Sequence, residues 1–160
     1  MICQHRELEE FNPGSVNTLR IVTIRSNRGV KIMDAVLRIG NGNGVTDNFH
    51  QHGLAMKVDQ ETGRVISAAV DKSNRYYRDH PISGKTMVGF QVPSWEEVLQ
   101  TVRSAAILTK EARYIGWDLA ILSDGKVAII EGNCASDPDI TQIPTQVGRW
   151  PQYRKVLGRL

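Results

Sequence analysis

The sequence predicts an α+β domain: an antiparallel or mixed sheet with helices packed on one face. Three observations carry this. Runs rich in β-branched residues come in pairs around turn residues, at 20–39, 54–70 and 116–133. One long amphipathic helical pattern, from Ser94 to about Ala112, stands between the second pair and the third. The strand–helix alternation and Gly-rich first turn of a doubly wound nucleotide fold are absent. With 160 residues the chain fits one domain, 1–160, large enough to bury a core without crosslinks.

Taken in order, RIVTIRSNRGVKIMDAVLRI (20–39) reads as a hairpin turning at Asn27-Arg28-Gly29. GNGNGVTDNFHQHG (40–53) is too rich in Gly and Asn for strand or helix and reads as a long loop. Long ordered loops often carry function. LAMKV and RVISAAV, around residues 59–63, suggest a second hairpin, and the polar, Pro- and Gly-punctuated stretch 71–93 reads as surface. Ser94 with Glu97 has capping-box spacing, and Trp95, Val98, Leu99, Val102, Ala105 and Ala106 share one helical face. The hairpin GWDLAILSDGKVAIIEGN follows, and WPQYRKVLGRL suggests a terminal helix.

Composition narrows the function classes. Twenty basic against seventeen acidic residues give +3, which suits an anionic small ligand and falls short of a nucleic-acid footprint. Two cysteines, no signal-like opening segment and no apolar run near the roughly 20 residues of a membrane span point to a cytoplasmic protein. Neither nucleic acid nor membrane is expected as a partner. Arg75, Tyr76, Tyr77, Arg78, His80 and Lys85 mix basic and aromatic side chains as a single-strand platform does, but a solvated loop with packed tyrosines accounts for them better. Cys134 reads as a small packing residue, with no histidine near it to act as base.

The last hairpin carries the chemistry. A two-residue Asp124-Gly125 turn pairs Ser123 with Lys126, which sets Ala120 against Ile129, Leu122 against Val127 and Asp118 against Glu131. Asn133, two residues beyond Glu131, shares that face. Directly opposed residues hold their Cβ atoms about 4.5–5.5 Å apart, so two carboxylates there repel unless a cation lies between them. Two carboxylates and an amide oxygen suit Mg²⁺, which takes one or two protein carboxylates and fills its octahedron with water and phosphate oxygens. The alternative cation is an arginine on a neighbouring strand, and Arg20, Arg25 and Arg38 are available. A three-residue bulged turn would shift the register by one and send the acids to opposite faces. His50 and His52 form a His-x-His pair without a nearby third nitrogen or sulfur ligand for zinc.

An Asp in one strand and Glu-x-Asn ending the next resembles the metal-binding hairpin of ATP-grasp enzymes. More particularly, the chain resembles the sugar-transfer-associated ATP-grasp domains. The resemblance rests on IxQHxELxxxNPxSVNTLRIVT at 2–23, VLRIGNGNGVTDNFHQHG at 36–53, HPISG at 80–84, VPSW at 92–95 and the 116–133 hairpin, in the family's order. It implies ATP and Mg²⁺ as cofactors, with Asp118, Glu131 and Asn133 as metal ligands and Glu131 bridging two ions. It implies that Arg20, and with it Arg38, faces phosphate or the developing acyl-phosphate charge. Asn48 and His50 then lie near the transferred phosphoryl group or the acceptor. The implied reaction passes the γ-phosphoryl group of ATP to a carboxylate, and an amine from a small-molecule acid/amine pair attacks the acyl phosphate. The family's preceding subdomain, with its phosphate-binding lysine, Gly-rich loop and adenine-reading hinge, has no counterpart in these residues. The chain is therefore expected to be a partial ATP-grasp domain, inactive alone and dependent on that subdomain in cis or in trans. Two alternatives stay open: a non-catalytic interaction module or split-enzyme half, and a phosphotransferase to a hydroxyl acceptor.

Overall fold

The computed structural model describes residues 2–42 and 53–158. One antiparallel sheet of seven strands organises them: β1 (Thr18–Ser26), β2 (Gly29–Ile39), β3 (Leu54–Lys57), β4 (Ala69–Val70), β5 (Tyr76–Tyr77), β6 (Tyr114–Ile121) and β7 (Val127–Asn133), in the order β5-β4-β3-β2-β1-β6-β7. The helices are α1 (Arg6–Glu9), α2 (Trp95–Leu108), α3 (Asp139–Gln142) and α4 (Trp150–Leu157). This is the α+β class that the patterning predicts.

Because side chains alternate along a strand, each residue's face follows from its position. Leu19, Ile21, Ala35, Leu37, Leu54, Met56, Trp117, Leu119 and Ile121 point to one side and meet Trp95, Val98, Leu99 and Val102 of α2 in the main core. The alternate residues form the opposite face. There Val36, Ala55 and Val70 pack on Ile140 of α3, and Val22, Ile24 and Met33 pack on Tyr153, Val156 and Leu157 of α4. The long helix thus covers one face, and the short C-terminal helices add a second layer on the other, where the polar residues of the sheet also lie.

Several local expectations change. Ser94 occupies the N-cap position, but it is left-handed (φ 51°) and its side chain makes no cap hydrogen bond, so the capping box does not form. The helix ends at Leu108, four residues short of Ala112, where Thr109 leaves helical geometry and its amide caps on the Ala105 carbonyl. The second hairpin is fragmentary, an isolated Val58–Val65 bridge followed by the short β4. The 71–93 stretch is no mere surface run, since it buries His80, Met87 and Val92.

The last turn matters most. Leu122 donates to Lys126 and Gly125 to the Leu122 carbonyl, with Gly125 at φ 80°, so the loop has three residues, 123–125, and not two. Glycine adopts that backbone without a Cβ penalty. The shift pairs Leu119 with Ile129, Ala120 with Ala128 and Ile121 with Val127, displacing the expected Ala120–Ile129 and Leu122–Val127 pairs. A β-bulge then absorbs Ile130, and beyond it Asp118 pairs with Glu131 and Gly116 with Asn133. Two one-residue irregularities cancel, and the two carboxylates stand opposed as the spacing predicts.

Candidate functional site

Across the helix-α3/α4 face, the pairings of β7, β6, β1, β2 and β3 set Glu131, Asp118, Arg20, Val36 and Lys57 in one row. Its first three members are two carboxylates and an arginine, with Asp118 between Glu131 and Arg20. Opposite charges directly across antiparallel strands attract, and an arginine fork matches a carboxylate in two places.

Arg20 uses that match. Its Nε donates to Asp118 Oδ1 at 2.5 Å and its Nη2 to Asp118 Oδ2 at 3.0 Å, while Nη1 donates to Ser136 Oγ at 2.9 Å. Arg38 comes from the next strand, its Nη2 3.0 Å from Asp118 Oδ2, and it donates from Nε and Nη2 to Thr18 Oγ1 at 2.9 and 2.6 Å. Arg20 and Asp118 are only 9% and 7% exposed. Two guanidinium groups therefore share one buried carboxylate. The cation next to Asp118 among the described residues is arginine, the alternative that the sequence left open.

Glu131 differs from Asp118. It is exposed, on an edge strand, and no donor among the described residues engages its carboxylate. Asn133 is exposed too, its Oδ1 accepting the Ala135 amide at 2.9 Å. Asp118 Oδ1 takes one donor and keeps one lone pair. Three hard oxygen donors thus lie along one rim, a set that fits a magnesium ion carrying phosphate oxygens. Asn48, His50 and His52 lie outside the described residues.

Beside this row sits a second charged knot that the sequence did not reveal. Asp34, fully buried, holds Lys57 Nζ, lies 2.9 Å from Arg149 Nε and accepts the Tyr153 hydroxyl at 2.7 Å. Burial lowers the pKa of Lys57 and outweighs the opposing pull of Asp34, and burial likewise raises that of Tyr153. Arg149 and Tyr153 belong to the start and middle of the α4 region, so the knot ties α4 to the sheet. Asp34 lies next to the β2 bulge at Met33, which no residue pattern announces.

A third set supports the entrance to the 40–53 stretch. Asn17 donates to the Leu8 carbonyl at 2.8 Å and accepts from Ser15 Oγ and the Gly40 amide, each at 3.1 Å. Gln4 donates to the Ser15 carbonyl at 2.7 Å and accepts the Asn17 amide at 2.9 Å. His80 Nδ1 accepts from the Ser83 amide, so its Nε2 donates to the Gly40 carbonyl at 2.9 Å, and burial lowers its pKa. The segments 2–23, 36–53 and 80–84, scattered along the chain, converge here on Gly40.

The remaining candidates resolve simply. Asp71 binds Arg75 and the Tyr77 hydroxyl, and Lys85 pairs with Glu10, so the basic and aromatic run is largely engaged within the fold. Cys3 and Cys134 are free and exposed, so Cys134 is not a packing residue. No group of three His, Cys, Asp or Glu side chains gathers among the described residues, and no helix of the described residues is long and apolar enough to cross a membrane.

Among curated proteins and among solved structures, nothing matches the chain. A family model does: sugar-transfer associated ATP-grasp, over residues 1–157. With nearly the whole chain matched, and with the paired acids and arginines on one sheet face, the chain belongs to the sugar-transfer-associated ATP-grasp family.

Proposed function

We propose that this chain provides the phosphate- and metal-facing surface of an ATP-grasp ligase, one that activates a carboxylate as its acyl phosphate for attack by an amine. The observation that supports it best is the buried Arg20–Asp118–Arg38 cluster beside the unengaged Glu131 carboxylate. Phosphoryl transfer asks little covalent chemistry of a protein and much positioning and charge neutralisation. Arg20 and Arg38 supply fixed positive charge for the transferred group, and Asp118 holds both guanidiniums in place. Glu131 and Asn133, with the free lone pair of Asp118, would hold Mg²⁺. When bound, the ion neutralises the phosphates of ATP. Ser136 and Thr18 keep the arginine forks oriented toward the sheet face.

A second reading has its own support. A carboxylate satisfied by two arginines is also what a purely structural ion-pair network looks like, which suits a non-catalytic interaction module. Calorimetric titration separates the two. The ligase reading expects Mg-ATP to bind the wild-type 160-residue chain, and binding to vanish when EDTA removes the metal. Identical heats with and without metal, or none at any accessible concentration, favour the module.

A further inference from the structure

Charge is distributed very unevenly over this molecule. The residues at the far end of the β1–β2 hairpin and those packed beside it fall in three segments, 25–31, 107–114 and 154–158. They hold seven of the chain's twenty Lys and Arg and one of its seventeen acids. This end therefore carries +6, and the rest of the chain −3. The three segments are joined in space. Arg25 donates from its amide to the Arg113 carbonyl and from Nη2 to the Lys110 carbonyl, each at 2.7 Å. Arg28 and Lys31 line one groove with Lys155 and Val156. Arg28, Lys31, Lys110, Arg113, Arg154 and Lys155 are all exposed, and none of them forms an ion pair among the described residues.

The same end presents apolar side chains to solvent. α2 finishes on Ile107 and Leu108, 60% and 80% exposed, two residues before Lys110. Leaving both bare is unfavourable in water, and no element of the described fold covers them.

We infer that this end of the domain is a peripheral docking surface for an anionic lipid bilayer, in which Ile107 and Leu108 enter the headgroup boundary while the surrounding Lys and Arg meet the lipid charges. Stable peripheral attachment needs two signals, and a basic patch with an apolar insertion supplies both. Single-stranded nucleic acid, the other polyanion of this charge, would want exposed aromatic faces to stack on. Within the three segments the aromatic residue is Tyr114, half-buried with its hydroxyl donated to the Ser136 carbonyl. Trp150, 64% exposed in a groove with Arg154 and Lys155, offers a single ring, and tryptophan also suits a headgroup boundary. The chain's modest net charge conceals the surface, because its parts come from three distant segments and the rest of the fold is acidic. The inference does not depend on nucleotide binding.

The test is co-sedimentation of the 160-residue chain with vesicles of phosphatidylcholine, alone or with about one third phosphatidylglycerol. The chain is expected to partition onto the mixed vesicles, to ignore phosphatidylcholine alone, and to detach as salt rises from about 0.1 to about 0.5 M. Lys110→Ala/Arg113→Ala should weaken partition about twenty-five-fold, and Ile107→Ser/Leu108→Ser by at least about tenfold with every charge retained. All four side chains are exposed, and far-UV circular dichroism checks that both variants fold. No partition onto the mixed vesicles overturns the inference. So does partition that Ile107→Ser/Leu108→Ser does not affect, or that single-stranded DNA abolishes equally in the wild type and in Ile107→Ser/Leu108→Ser, since either marks a generic polyanion surface.

Discussion

Arg20 and Asp118 face each other across β1 and β6 and share two hydrogen bonds, at 2.5 and 3.0 Å, in a nearly dry environment. Removing the carboxylate leaves the Arg20 guanidinium buried without a counter-charge, whereas the pair itself offsets much of its own desolvation. Asp118→Ala should therefore destabilise the fold by about 3–5 kcal/mol in urea denaturation. Glu131→Gln, on the exposed edge strand, should change stability by less than about 0.5 kcal/mol. Comparable losses for the two would show that the row is not divided into a buried anchor and an open ligand.

Gly116 lies beside Asp118 in the ladder because Ser136 needs its space. A Cβ there would collide with the Ser136 side chain, which holds Arg20 Nη1. Gly116→Ala should cost about 1–3 kcal/mol by overpacking. It should also loosen Arg20, so that affinity for Mg-ATP falls by more than in Gly148→Ala, where the added methyl lies at ordinary contact distance. Equal affinities in the two variants would separate Ser136 from the site.

Asp34 ties α4 to the sheet through Arg149 and Tyr153. Asp34→Ala strands Lys57 and Arg149 and should cost about 3–5 kcal/mol. Limited proteolysis should then cut first in the 143–150 segment, ahead of any cut in the sheet. Unchanged cleavage there would mean that the apolar contacts of Val156 and Leu157 hold the helix alone.

Burial holds the His80 pKa below its ordinary 6.5. In that window the unfolded chain takes up a proton that the folded chain refuses, so stability falls as pH drops below 6.5 toward the folded value and is retained above it. His80→Gln should flatten this acid limb of the stability profile while lowering stability at neutral pH, because the contacts to Gly40 and Ser83 are altered. A profile of unchanged shape would assign the limb to other groups.

Element types were largely legible in the sequence, because the β1–β2 hairpin, α2 and the last hairpin rest on local patterning with a strong period. The opposition of Asp118 and Glu131 was legible for a less direct reason: a two-residue turn was expected and a three-residue turn formed, and only the bulge at Ile130 brought the acids back into opposition. Bulges carry no reliable signal in one sequence, so agreement at the acids coexists with displaced pairs at Ala120 and Leu122. The Asp34 knot stayed hidden for the same reason, since it joins residues more than a hundred positions apart next to another bulge. The Asn17–Gly40–His80 knot left a trace in the family-like segments, though their role emerged only once the fold brought them together. Ser94 failed as a cap because its backbone is left-handed, a tertiary demand that outweighs local capping preference.

The central claim is that the Asp118–Glu131 face receives the phosphates of Mg-ATP. Amide chemical-shift mapping of the labelled chain tests it most directly. Added Mg-ATP should perturb residues 116–120 and 130–136 together with Arg20 and Arg38, and the perturbation should disappear in Glu131→Gln, whose fold is intact. Shifts confined to other surfaces, or shifts that persist unchanged in Glu131→Gln, would contradict it.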